Sequence, residues 1–243
     1  GDREQRSRAD DDGQRQDLTD ARLKFSYDFA KDTIELADSV ARFSETVFPL
    51  SGGIIDLDRL PEGPSFGKGF GIDLVVNDGK ANVPAAGETP FPFFMKGYGR
   101  YLVAENMLQL DTLDVSTPSG NMAGKLQVRF GGTGPEIRFK AGVQNMRTTV
   151  VKQLWPYWIA SKPRQWVLEN LYGGVIPSGT IDVFIPQNRL SIDPKPVRLN
   201  ADELKIGFDL EDARLNLTGE LPPLRDLYGR FDMVGERVDI AIR

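Results

Sequence analysis

The sequence predicts a mainly β protein: an antiparallel, curved and repetitive sheet carrying a short two-helix insert. Three observations carry that prediction. Apolar and polar residues alternate with period two along much of the chain, as strands with one buried face require. Glycine (25) and proline (16) are plentiful in 243 residues, which favours short strands joined by turns over a helix bundle. A unit of strand, strand and glycine-opened strand recurs three times, and such units build long curved sheets.

Taken in order, residues 1–20 carry 11 charged side chains and only Leu18 as a large apolar residue. Such a stretch cannot bury enough surface to offset the entropy of ordering, and it is expected to be a disordered charged linker. The opening at Gly1 fits a piece excised from a longer protein. A β-repeat region is expected over 21–147. Leu23, Phe25, Tyr27 and Phe29 alternate with polar residues, and Ile34-Glu35-Leu36 extends the pattern. The spacing of Leu36, Val40, Phe43 and Val47 also suits a helix; the repeat favours a strand. Leu50-Ser51-Gly52-Gly53-Ile54 completes the first unit. Gly67-Lys68-Gly69-Phe70-Gly71 is too tightly spaced for a dinucleotide fingerprint and reads as a turn before a strand. Phe70, Ile72, Leu74 and Val76 form that strand, and Asn77-Asp78-Gly79 predicts a tight hairpin.

The second unit runs from Tyr98–Leu102 through Leu108-Gln109-Leu110 to Met122–Val128, with an inner glycine at Gly124. An inner glycine in a strand often marks a bulge or bend. Residues 148–174 form the predicted helical insert: Pro156 suits a first helical turn, Ser161 can cap a second helix with Pro163 near its start, and Gly173-Gly174 can end it. All three tryptophans, Trp155, Trp158 and Trp166, lie within 12 residues there. They fit either a helical pair packed on a sheet edge with its aromatics forming core or a lipid-facing cap, because tryptophan tolerates one wet end. The region 175–243 is expected to continue the same sheet, with a third unit at Leu204–Leu210, Leu215-Asn216-Leu217 and Leu227–Phe231.

Composition excludes several chemistries. There is no cysteine and no histidine, so Ser-His-Asp triads, thiolate nucleophiles and His or Cys metal clusters are out. The net charge of -5 offers no basic field for nucleic acid. The pairs Asp111/Asp114 and Asp56/Asp58 read as solvent-facing strand residues and turn caps rather than glycosidase carboxylates or calcium ligands. Asn216-Leu217-Thr218 is a sequon expected by chance. No catalytic residue, metal site or cofactor is predicted. No apolar run reaches the ~18 residues of a membrane-spanning helix.

Two readings of the alternating strands remain. In one, two sheets pack their apolar faces together as a closed sandwich, serving as a binding or scaffold module for protein or glycan partners. In the other, one sheet curves into a trough whose apolar face accepts a ligand.

One segment resembles a known family. Val151-Lys152-Gln153-Leu154-Trp155-Pro156-Tyr157-Trp158, then Arg164-Gln165-Trp166-Val167-Leu168-Glu169-Asn170-Leu171, then Gly173, is similar to the signature of YhdP-type proteins. These belong to the AsmA-like group that includes TamB. The flanking glycine-opened strands resemble its β-repeats. The resemblance covers roughly 21–243, and Trp155, Pro156, Trp166, Asn170 and Gly173 carry its specific part. It implies a taco-like groove in a non-enzymatic periplasmic protein of a Gram-negative envelope. That protein would carry phospholipid acyl chains between the inner and outer membranes. An inner-membrane anchor would lie outside this chain, and outer-membrane components are candidate partners. On that reading Leu126, Val128, Phe130, Leu204, Ile206 and Phe208 are the candidate lipid-facing residues. Lys125, Gln127 and Lys205 fall on the other face.

Overall fold

The computed structural model describes residues 18–190, 196–216 and 222–242. Its strands are β1 (Leu18–Arg22), β2 (Phe25–Asp28), β3 (Thr33–Phe43), β4 (Thr46–Asp56), β5 (Gly69–Ala81), β6 (Phe91–Leu102) and β7 (Met107–Thr117). They continue with β8 (Gly120–Arg129), β9 (Glu136–Arg147), β10 (Leu171–Tyr172), β11 (Val175–Ile185), β12 (Leu204–Leu215), β13 (Leu224–Val234) and β14 (Arg237–Ile242). Two helices, α1 (Thr148–Leu154) and α2 (Ser161–Asn170), lie between β9 and β10.

All fourteen strands belong to one sheet with the order β1-β3-β4-β5-β6-β7-β8-β9-β11-β12-β13-β14. The short β2 pairs with β3, and β10 pairs with β12. Every pairing is antiparallel, and the sheet is curved and open. The trough reading therefore holds at the level of fold. The closed sandwich does not: among the described residues there is no second sheet to close against.

The repeat has a physical basis in bulges. Register shifts fall in β3 between Leu36 and Ser39, in β7 between Leu110 and Leu113, and in β12 between Leu210 and Ala213. Beside each shift lies a glycine of the next strand: Gly52 opposite Leu36, Gly124 opposite Leu113 and Gly229 opposite Leu210. Bulges increase local twist, so their recurrence at matched places curves the sheet. Asp38 (φ 48°) and Asp212 (φ 53°) occupy the left-handed region in two of these bulges, a conformation that Asp and Asn adopt more readily than other side chains.

Several local expectations are corrected. Asn77-Asp78-Gly79 is a bulge inside the continuous β5, with Asp78 at φ 55°, and turns no hairpin. Leu204–Leu210 and Leu215 are one strand, so the third unit contains β12 and β13 only; Leu217 lies outside the described residues. The ambiguous 34–47 segment is strand, as expected. Leu18–Asp20 belong to β1 rather than to a linker; residues 1–17 lie outside the described ones. Gly67 and Lys68 lead from a short turn into β5, and Gly69–Gly71 already belong to that strand.

The insert replaces a hairpin turn. β9 and β11 pair directly up to Arg147 and Val175, and residues 148–174 loop out between them. Its ends differ in detail from expectation. Pro156 lies between the helices, and Ala160, at φ 47°, occupies the cap position before Ser161. Gly173 and Gly174, at φ 60° and 77°, turn the chain from β10 into β11 instead of capping α2. The insert packs on one face of the sheet and makes the main core with Val183, Leu204, Phe208, Phe231 and Met233.

Candidate functional site

The strand registers place most of the sheet's apolar residues on one face; Ile55, Val75, Phe94 and Tyr98 fall on the other. One row of paired residues runs Leu50, Val76, Met95, Val115, Met122, Val143, Gly179, Phe208, Phe231 and Ile240, across ten strands. It contains no polar side chain. At about 4.8 Å per strand it spans roughly 43 Å of sheet. A parallel row runs Leu110, Leu126, Phe139, Val183 and Leu204. The other face carries the charges: Lys125 lies opposite Lys140, which bonds Asp182 at 2.7 Å, and Asp182 pairs with Lys205. Asp111 is bonded to Arg100 at 2.9 Å there, and Asp56 caps a short turn through the Asp58 N–H.

The six candidate residues fall in three environments. Leu204, Ile206 and Phe208 are buried beneath the insert. Leu126 and Val128 share their face but are only half-buried. Phe130 lies past the end of β8, 44% exposed, with its N–H donating to the Asn106 carbonyl. It is not part of the paired face. From β3 to β8 the apolar face is covered unevenly: Val76, Phe93, Leu110 and Val115 are buried, most of them in a second, smaller core, while Ile34, Leu36, Ile54, Leu74, Leu113 and Leu126 are half-buried.

Over β9 to β13 the face has a roof. The segment between β11 and β12 contributes Leu190 and Leu199, both buried, and the Val197 N–H donates to the Trp158 carbonyl. The insert is held to the β5–β6 connection by Lys152, 1% exposed, whose Nζ lies 3.1 Å from Glu88. Gln153 adds bonds to the Val83 N–H and the Thr89 carbonyl. Arg164 is buried in α2 and its Nε donates to the Trp155 carbonyl; burial pushes its pKa down to about 10, so it stays charged at neutral pH.

The signature residues hold this roof together. The Trp155 ring N–H donates to the Ile159 carbonyl at 2.9 Å, closing the turn between the helices. Asn170 donates to the Trp166 carbonyl and accepts from the Asn216 N–H. The Gly173 carbonyl accepts the Thr148 hydroxyl. Trp155 is core, Trp158 and Trp166 are half-buried, and Trp166 lies beside Val238 and Ile240 of β14.

Between roof and sheet lies an apolar cavity of about 140 Å³. Met122, Phe139 and Ile181 line it from the half-buried sheet, Leu204, Ile206 and Phe208 from the buried sheet, and Leu154, Trp155 and Pro156 from above. Sequence reasoning missed Met122, Phe139 and Ile181 as part of the site, although each stands in an alternating run. Among the described residues, no group of three or more acidic side chains could hold a metal ion, and no helix is long and apolar enough to cross a membrane. No protein-family model, curated protein or solved structure matches the chain.

Proposed function

We propose that this chain is a lipid-carrying section of an AsmA-like, YhdP-type protein, working without catalysis in the periplasm as part of a longer, inner-membrane-anchored protein. The observation that supports it is the apolar row from Leu50 to Ile240, unbroken across ten strands and roofed only in part. Each acyl CH₂ kept from water contributes about 0.8 kcal/mol, so a continuous apolar strip suffices to hold a tail while its headgroup stays wet at the rim. Such a carrier needs no nucleophile and no acid–base pair, which accords with a chain lacking His and Cys.

The test is site-specific photo-crosslinking of the purified chain with vesicles of phosphatidylethanolamine and phosphatidylglycerol. Crosslinkers at Leu126 and Val128 should capture phospholipid. Crosslinkers at Lys125 and Gln127, on the charged face of the same strand, should capture severalfold less. Equal capture on the two faces, or none at Leu126 and Val128, would refute the function.

A further inference from the structure

We propose that the cavity beneath the insert receives the methyl end of a single hydrocarbon chain, making the insert a stop against which one acyl tail seats. The inference rests on the proposed lipid-carrying function and adds to it a place where the tail ends.

Three features point there. The lining is made of apolar side chains, and the one ring N–H among them, that of Trp155, is already donated to the Ile159 carbonyl. A headgroup or hydroxyl placed inside would lose its hydrogen bonds to water without replacement. The volume, about 140 Å³, is close to that of engineered apolar cavities of ~150 Å³ that stay dry and admit benzene. That suits a few carbons of one chain and is well below the ~300 Å³ at which pockets for whole small molecules begin. The position is also suitable. Met122 and Phe139, on β8 and β9, are half-buried and adjoin the open stretch of the face. Leu204 and Phe208 close the far side and are buried.

The test uses Trp155 as the reporter, in the full chain with Trp158→Phe and Trp166→Phe. Two lysophosphatidylcholines are compared below their micellar concentration, one brominated at the terminal carbon and the other beside the ester. Equilibrium dialysis measures retention of each. Terminal bromine should quench Trp155 severalfold more than ester-proximal bromine, and Val151→Phe, which narrows the roof, should remove that difference. Should Val151→Phe fail to fold, the comparison of the two bromine positions decides alone. Retention of both lipids with equal quenching would overturn the cavity as the tail's end and leave the lipid-carrying function standing. Failure to retain either lipid would overturn both.

Discussion

Gly179 and Phe208 face each other across β11 and β12, and a Cβ built on Gly179 would lie 2.3 Å from the Phe208 ring. Gly79 stands in the same relation to Phe93, at 2.5 Å. In both places a phenyl ring occupies the room a side chain would have taken. Phe208 in turn stacks on Phe231 with centroids 6.1 Å apart, so displacing it disturbs the main core. Gly179→Ala should therefore destabilise the protein by about 1–3 kcal/mol through overpacking. Gly142→Ala is the matched control, since its Cβ would meet nothing nearer than 3.9 Å, and its effect should stay within about 0.5 kcal/mol. Urea denaturation measures both. Equal losses would show that the rings do not depend on the missing side chains. The alternation that assigns each residue to a face was legible in the sequence because it involves only near neighbours along the chain. Which ring covers which glycine was not, because β11 and β12 meet only through the sheet.

At the scale of elements, a bulge and a hairpin turn use the same residues. Asn77-Asp78-Gly79 supplies the left-handed backbone of a turn, yet β4 and β6 pair with β5 on both sides of it, so the strand continues. Nothing local distinguishes the two outcomes. The same holds at Asp212, where one bulged strand reads as two in the sequence. The helical insert was legible from its Trp and Pro content, but its anchoring was not. Lys152 meets Glu88 across 64 residues of chain, and its Nζ also lies 4.5 Å from the centre of the Tyr172 ring. With seven residues, α1 is too short to persist without such contacts. Lys152→Ala should cost about 3 kcal/mol, since it leaves the Glu88 carboxylate facing a partly buried site alone. Lys152→Met combined with Glu88→Gln should recover most of that loss and return amide exchange in 148–172 towards its original rate. If the double variant were as unstable as Lys152→Ala, the pair would not be what fastens the insert.

Over the whole molecule, a single sheet has one apolar face and half a roof. This division has a consequence that does not depend on any ligand. Where the insert and the β11–β12 segment cover the face, a polar side chain must give up its hydrogen bonds to water. Where the face is open, it keeps them. Ile206→Gln, beneath the roof, should therefore lower stability by about 1–3 kcal/mol from the amide alone, with the lost apolar packing added to it. Leu126→Gln stands on the same face three strands away and is only half-buried, so it should cost clearly less. In phospholipid binding Leu126→Gln should weaken retention while the fold stays intact. A polar group on the open strip interrupts the surface that a tail lies on, whereas folding barely draws on that surface. Unfolding midpoints and equilibrium dialysis of the two variants give the four values needed. Equal destabilisation would mean that the half-buried strip that includes Leu74, Leu113 and Leu126 is packed as tightly as the roofed part, leaving no apolar surface for a hydrocarbon chain.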